Sequence, residues 1–255
     1  MHRISWDASL PLPGPGELVT ITGDEAAHGL RVKRLHTGEA IELLDGFGGV
    51  ASGTLAEAAP PQVPQVAEGR RRRPPAGLLV RVVSSRREPE PSTKVEVWAA
   101  TPKGSRVDEL IEGLSEVGAW SWTPLRSARA VVEPRPTKLD RLGRLAAESA
   151  KQCGRAWFLR VERERPFADA IAPAPGTRIV LADAGGQPWR DQGTVPPGRA
   201  LRLLIGPEGG WTPDELAAAE TAGASVARFG PHAMRIETAG VAAAAVLVNL
   251  LAARG

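Results

Sequence analysis

The sequence of 255 residues predicts an α/β protein in which a small β-rich domain precedes a mostly parallel sheet covered by helices. From Gly77 onward, apolar strand-like runs alternate with amphipathic helical stretches, an order that favours parallel strands. Before residue 69, short β-type runs and turn residues predominate. A proline- and arginine-rich passage at 60–75 breaks every periodicity and separates the two patterns. We therefore expect domains at 1–69 and 77–255.

The small domain is predicted to contain three strands and one helix. The helix covers 24–32, and the glycine-rich stretch 45–49 supplies a turn. The strands are expected around 18–21, 40–44 and 50–55.

The large domain is predicted to alternate strands with helices. In the helix at 107–117, the apolar residues fall on one stripe, as expected of a helix lying on a sheet. Thr212 and Glu215 form a capping box around Pro213, so another helix begins there. The strands are expected at 78–83, 95–100, 122–125, 157–161, 178–181, 201–205 and 226–229, and the helices at 107–117, 138–153, 213–222 and 237–251.

Two glycine-bearing turns follow the last two strands. The sequence Gly-Pro-Glu-Gly-Gly at 206–210 follows one apolar strand, and Phe-Gly-Pro at 229–231 follows the other. Turns at the carboxyl ends of strands, each leading into a helix, are how an α/β sheet forms a ligand crevice. Glycine lets the backbone approach a bound molecule closely. The sequence therefore predicts a small-molecule site in this part of the chain.

Charge and composition narrow the class of protein. The net charge is only +3, but 126–165 holds eleven Lys or Arg against five Asp or Glu, an excess that suits a polyanion such as RNA. The arginine run at 70–73 is more typical of a charged linker. Cys153 is the single cysteine, expected to be a small buried residue, and no His/Cys spacing predicts a metal site. No signal peptide or membrane span is indicated, so a cytoplasmic protein is expected.

Several motifs, in order along most of the chain, resemble the RsmE family. The paired C-terminal segments at 206–210 and 229–239 carry the resemblance most strongly. His-Gly-Leu-Arg-Val-Lys-Arg-Leu at 28–35, Ser-Glu-Val-Gly at 115–118 and Glu-Ser-Ala-Lys-Gln-Cys-Gly-Arg at 148–155 are similar to further family motifs. The chain departs from the usual family residue at Lys151, Trp211, His232 and Ile236, where glutamate, phenylalanine or leucine, arginine and threonine are common.

The resemblance implies a fold, a cofactor and a reaction. Members are SPOUT-superfamily enzymes with a PUA-like N-terminal domain and a catalytic domain whose C-terminal part, here about 204–239, forms a deep trefoil knot. They are homodimers that use S-adenosylmethionine to methylate N3 of a uridine in small-subunit (16S) ribosomal RNA. The substrate is then naked ribosomal RNA or an assembled small subunit. The long apolar helix at 237–251 is expected to pack against a second subunit or within its own.

The resemblance also assigns site residues. Arg235 is expected to stabilise the negative charge on the uracil imide, or else to cap a carbonyl or pair with Glu237. Glu237 is expected to accept the imide proton or to orient Arg235. A glutamate in the first turn of a helix equally suits a purely structural role. Thr238 is expected to cap that helix or to bind the cofactor. The residues expected to bind the cofactor are Leu181, Leu204, Ile205, Gly206, Pro207, Glu208, Gly209, Gly210, Phe229, Gly230, Met234, Arg235, Thr238 and Ala239.

Basic residues in both domains are expected to contact RNA phosphates. They are Arg31, Lys33 and Arg34 in the small domain and Lys103, Arg106, Arg126, Arg129 and Arg155 in the large one. Two alternatives stay open. The chain is a related SPOUT methyltransferase acting on another RNA site or a ribose 2'-hydroxyl, or it is a non-catalytic RNA-binding factor in ribosome assembly that keeps the fold.

Overall fold

The computed structural model describes residues 1–59, 77–189 and 199–252, which form two compact units. Met1–Glu90 and Gly154–Trp157 form the first unit, and Pro91–Cys153 and Phe158–Gly255 form the second. The passage 60–75, predicted to link two domains, lies outside the described residues.

In the residues that the structure describes, the first unit is a five-stranded sheet with one helix. Its elements are β1 (His2–Ser5), β2 (Leu18–Ile21), α1 (Gly23–Arg31), β3 (Ala40–Leu44), β4 (Gly49–Ala59) and β5 (Gly77–Arg87). The strand order is β1-β3-β4-β5-β2, with β1 parallel to β3 and the other pairs antiparallel. Ile4, Ile41, Leu43, Leu78 and Val80 lie in one apolar cluster, which joins all the central strands. The small β-rich unit predicted from the sequence is therefore present.

The predicted start of the large domain at residue 77 is wrong. Strand β5 pairs antiparallel with β4 and with β2, and it belongs to the first unit. Alternate residues Leu78, Val80 and Val82 are buried in the core of that unit. The first unit therefore continues to Glu90 and includes Gly154–Trp157, which follow a helix of the second unit.

The second unit is a seven-stranded, parallel sheet. Its elements are β6 (Thr93–Ala99), α2 (Arg106–Glu116), β7 (Ser121–Arg126), α3 (Pro136–Cys153), β8 (Arg160–Val161), β9 (Arg165–Pro166), α4 (Phe167–Ile171), β10 (Thr177–Pro188), β11 (Arg199–Ile205), α5 (Pro213–Thr221), β12 (Ser225–Arg228) and α6 (Ile236–Ala252). The strand order is β12-β10-β11-β6-β7-β8, with β9 pairing β7. All these pairs are parallel, so the predicted α/β class with a mostly parallel sheet is confirmed.

Helices cover both faces of this sheet because alternate strand residues are apolar on each face. Val95, Val97, Leu201 and Leu203 lie in a cluster with residues of α2, α3 and α6. The opposite residues, including Trp98, Leu181 and Leu204, lie in a second cluster with residues of α4 and α5. Fully buried strands account for the long apolar runs in the sequence.

Three expected features can be compared with the described residues. No helix there is long and apolar enough to cross a membrane. Within the same ranges, no group of three or more His, Cys, Asp or Glu side chains is placed to hold a metal ion. Cys153, expected to be buried, is exposed at the last turn of α3, and its thiol donates to the Ala150 carbonyl at 3.5 Å.

Candidate cofactor cleft

Three parallel strands of the second unit lie side by side, and the segments beyond their last aligned residues form a cleft. Ala182 of β10 is in register with Ile205 of β11 and with Ala227 of β12, so the segments after these residues emerge at one edge of the sheet. A crevice at such an edge is the usual ligand site of an α/β sheet. The cleft is lined by Ala182, Asp183, Ala184, Ile205, Gly206, Pro207, Glu208, Gly210, Trp211, Arg228, Phe229, Gly230, His232, Ala233, Met234, Ile236 and Ala239.

Most of the predicted cofactor residues meet in this cleft. Those that line it are Ile205, Gly206, Pro207, Glu208, Gly210, Phe229, Gly230, Met234 and Ala239. The side chains of Leu181 and Leu204 are fully buried in the apolar core, so only their main chain is available to a ligand. Gly209, Arg235 and Thr238 are exposed and are not among the lining residues. Nine of the predicted positions thus meet in one cleft, whereas these five lie outside its lining.

The sequence prediction missed several lining residues. Asp183 and Ala184 lie in β10 just after Ala182, in a glycine-bearing turn inside the strand where the pairing with β12 shifts register, whereas the sequence predicts a role only for Leu181 of that strand. Asp183 fixes this turn, because its Oδ1 accepts from the Gly185 N–H at 2.8 Å. His232, Ala233 and Ile236 lie within the second motif at 229–239 and Arg228 lies next to it, so assigning the whole motif and the residue before it would have included all four.

Trp211 forms part of the cleft wall and joins two of its segments. It is 6% exposed, and its indole Nε1 donates to the Ala182 carbonyl at 3.0 Å. Its ring centroid lies 5.4 Å from that of Phe167 in α4. A Cβ added to Gly206 would come within 2.9 Å of the Trp211 ring, so glycine at 206 is required by the close approach of this indole.

The glycine turn at 206–210 is also held from the loop that follows β7. The Arg129 Nη1 donates to the Gly209 carbonyl at 2.6 Å and to the Trp211 carbonyl at 3.4 Å. The Ala128 N–H donates to Glu215 Oε1 at 2.8 Å. The other oxygen of Glu215 accepts from the Thr212 N–H at 2.9 Å and completes the predicted capping box of α5. These contacts fix the turn and the start of α5 together.

Arg235 and Glu237 have different environments at the start of α6. Arg235 is exposed, and its carbonyl accepts from the Ala239 N–H at 2.8 Å. Glu237 is 7% exposed, and within the described residues its Oε2 has no hydrogen-bond partner. The described side chains include no ion pair between the two. A buried carboxylate oxygen without a donor is costly, which makes Glu237 a candidate for an interaction with a bound molecule.

The predicted RNA contacts have varied surroundings. In the first unit, Arg31 and Arg34 are exposed, while the Lys33 Nζ donates to the Arg3 carbonyl at 2.6 Å. Lys103 and Arg126 of the second unit are exposed. The Arg106 Nη1 lies 3.9 Å from Glu208 Oε1 at the rim of the cleft. Arg129 is bound to the glycine turn, and Arg155 is half-buried in the segment assigned to the first unit.

The fold and the cleft define an RNA methyltransferase domain, since residues 88–248 match the family model of that description. The chain is 31% identical over 246 residues to the ribosomal RNA small subunit methyltransferase E of Mycobacterium tuberculosis, covering 91% of this chain and 86% of that protein. It is 30% identical over 243 residues to the protein of the same name from Synechocystis, covering 91% of this chain and 73% of the relative. The chain belongs to the RsmE family.

Two solved structures share the fold along almost the whole chain. The ribosomal RNA small subunit methyltransferase E from Neisseria gonorrhoeae, solved with S-adenosyl methionine, has a TM-score of 0.80 at 22% identity and covers 98% of each chain. A probable rRNA-methyltransferase from Porphyromonas gingivalis has a TM-score of 0.72 at 26% identity, covering 91% of this chain and 93% of that one. Together with the sequence relatives and the family model, which show the family, this shared fold agrees with the resemblance inferred from the motifs.

Proposed function

We propose that this protein methylates N3 of one uridine in small-subunit (16S) ribosomal RNA with S-adenosylmethionine as the methyl donor. The observation that carries the proposal is the cleft, where three glycine-bearing strand ends meet in a chain similar over 91% of its length to proteins named for ribosomal RNA methylation. The S-adenosyl methionine bound by the Neisseria protein of the same fold supports the choice of cofactor.

The cleft residues suit that cofactor. Ile205, Trp211, Phe229 and Met234 offer apolar and aromatic surface for an adenine ring and for the methionine chain. Gly206 and Gly230 have no side chain of their own to cover their main-chain amides and carbonyls. At the rim, the exposed carboxylate of Glu208 is available to the ribose hydroxyls. When bound, S-adenosylmethionine supplies a methyl group already activated by its sulfonium.

Arg235 is assigned the main catalytic role. Transfer to N3 of uracil requires loss of the imide proton, and the negative charge then spreads onto the flanking carbonyl oxygens. Arginine stays charged at any working pH, so Arg235 stabilises that charge from its place between the lining residues Met234 and Ile236. The unpartnered Glu237 Oε2 is the candidate that accepts the proton or orients a partner group.

RNA binding is assigned to exposed basic residues of both units. Arg31 and Arg34 belong to the first unit, proposed to be PUA-like, and Lys103 and Arg126 to the second. Phosphate contacts of this kind release counterions, so affinity should fall steeply as salt is raised. The proposed setting is the cytoplasm, with a homodimer as the working form.

A trefoil knot of the SPOUT type is part of the proposal. Strand β12 is at the edge of the sheet, beyond β10, whereas α6 packs against β6, β11 and α2 on the other side of β10. The chain between Arg228 and Ile236 must therefore return across the ends of β10 and β11. This crossing passes the cleft, which is the arrangement that the family resemblance implies.

The test compares ribosomal RNA from cells with and without the gene. Mass mapping of small-subunit RNA should show one N3-methyluridine that disappears with the gene. Pure protein and labelled S-adenosylmethionine should restore it on deficient small subunits or on naked RNA, and running both substrates side by side identifies the preferred one. Label at another base or on a ribose would identify a related methyltransferase. Cofactor binding without any transfer would favour a non-catalytic assembly factor.

A further inference from the structure

Arg129 is bound to the cofactor turn itself. It was expected to contact RNA, yet its guanidinium donates to the Gly209 carbonyl at 2.6 Å and to the Trp211 carbonyl at 3.4 Å. We propose that Arg129 is a positioning residue, which holds the turn at 206–210 in the shape that receives the cofactor. This inference rests on the proposed function, because it assigns Arg129 to the cofactor side of that reaction.

The loop that carries Arg129 is itself anchored to the same turn. It follows β7, a parallel neighbour of β6, which in turn pairs with β11, so the loop starts at the sheet edge where the cleft is. The Ala128 N–H donates at 2.8 Å to the buried Glu215, whose second oxygen bonds the Thr212 N–H at 2.9 Å. The residues after β7 and the start of α5 are thus joined by these hydrogen bonds.

The contact with Arg129 distinguishes Gly209 from its two neighbours in the turn. Glu208 and Gly210 line the cleft, whereas Gly209 between them does not. A Cβ at Gly209 would lie 3.3 Å from Arg129 Cδ, so the glycine leaves room for the aliphatic part of the arginine. With its carbonyl held by Arg129, Gly209 stays outside the cleft while both neighbours face it.

A turn rich in glycine needs such a restraint. Gly210 has φ of 68°, and glycines sample more backbone conformations than other residues when nothing holds them. Ordering the turn on binding would consume binding free energy, and a turn fixed beforehand avoids that cost. A charge-assisted hydrogen bond to a carbonyl is among the stronger restraints that one side chain can provide.

The experiment is calorimetric titration of S-adenosylmethionine into the full-length protein without RNA. Arg129→Ala should weaken binding roughly tenfold, the size expected from losing one charge-assisted hydrogen bond. Arg126→Ala, three residues earlier and exposed, is the matched control, and it should leave cofactor affinity within about twofold while lowering RNA affinity. The reverse pattern, with Arg129→Ala affecting RNA and not the cofactor, would overturn the proposal.

Two further measurements separate positioning from general folding effects. In turnover assays, Arg129→Ala should raise KM for S-adenosylmethionine with a smaller change in kcat at saturation, and Arg129→Lys, which keeps a charged donor, should recover part of the affinity. A wild-type protein that does not bind S-adenosylmethionine would refute the proposed function. Wild-type binding with an unaffected Arg129→Ala variant would refute only the positioning role.

Discussion

The two glycine-bearing segments of the cleft differ in how firmly they are held. In the turn at 206–210, Arg129 bonds the Gly209 carbonyl, and the neighbouring Trp211 bonds Ala182. In the segment 229–235, Phe229 stacks on Trp189, with ring centroids 5.5 Å apart, and packs against the apolar core, and the Arg235 carbonyl accepts from the Ala239 N–H. His232, Ala233 and Arg235 of that segment are exposed.

We call the turn at 206–210 with Trp211 the first wall of the cleft, and the segment 229–235 the second wall. The difference suggests that the first wall serves cofactor binding and the second serves the reaction with the substrate. A wall fixed before binding spends little free energy on ordering, which suits the cofactor common to every reaction cycle. A segment whose exposed residues lie beyond the stacked Phe229 can adapt more readily when a large substrate arrives. Variants in the first wall should therefore change cofactor affinity, and variants in the second should change turnover.

Arg235→Ala should give the largest effect, a loss of methylation of at least about a hundredfold, as found when one electrostatic stabiliser is removed from an active site. Cofactor affinity should change by less than about threefold, because Arg235 is exposed and does not line the cleft. Single-turnover methylation and calorimetry measure the two quantities. Arg144→Ala, an exposed arginine on α3, is the control for loss of one surface charge. Retained turnover in Arg235→Ala would remove Arg235 from the mechanism.

Gly206→Ala should abolish tight cofactor binding, by an estimated thirtyfold or more. The new Cβ would lie 2.9 Å from the Trp211 ring, and that ring cannot move freely because it is 6% exposed and bonded to Ala182. An overpacked contact typically costs about 1–3 kcal/mol. The matched change Gly143→Ala in α3, where nothing lies within 4 Å of the new Cβ, should leave binding unchanged. Equal affinities for the two variants would show that the first wall is pliable.

The features predicted most accurately from the sequence are those that depend on residues close together along the chain. The helix expected at 213–222 spans Pro213–Thr221, because its capping box and first-turn proline are local signals. Strand β5 was assigned to the wrong unit, since its partners β2 and β4 are set by long-range pairing. Arg129 was placed with the RNA contacts because its partner Gly209 is 80 residues away. From the sequence alone, an arginine on the open surface cannot be distinguished from one that bonds a loop, because the distant partner comes close only in the folded chain.

Trp211→Phe should weaken cofactor binding by about three- to tenfold. Phenylalanine keeps an aromatic ring in the wall but cannot donate the hydrogen bond that Trp211 Nε1 makes to the Ala182 carbonyl, and a single neutral hydrogen bond contributes about 0.5–1.5 kcal/mol. Calorimetry gives the affinity, and thermal unfolding checks that the fold is intact. An unchanged affinity would mean that Arg129 and Glu215 hold the first wall without help from the indole.

Glu164→Gln should have the smallest effect of these substitutions, a modest rise in the unfolding temperature. It tests the loop that carries Arg129. Burial, followed by repulsion from Glu133 in that loop, raises the pKa of the Glu164 carboxyl, and nearby Arg126 offsets only part of this. A carboxyl whose pKa is higher in the folded state contributes stability below its unfolded pKa, and that contribution is lost as pH rises through the folded pKa. At neutral pH, the charged Glu164 therefore opposes folding.

The variant should thus unfold about 1–2 °C higher than the wild type at pH 7, a modest shift because the group is partly solvated. The gain should shrink as pH falls through the raised pKa of Glu164, where the native protein takes up the proton itself. Glu162→Gln, two residues earlier and exposed, is the control and should show no such pH dependence. If Glu164→Gln also tightens cofactor binding, relief of the repulsion at Glu133 reaches the first wall through Arg129; if affinity is unchanged, the contacts of Arg129 and Glu215 already fix that wall completely.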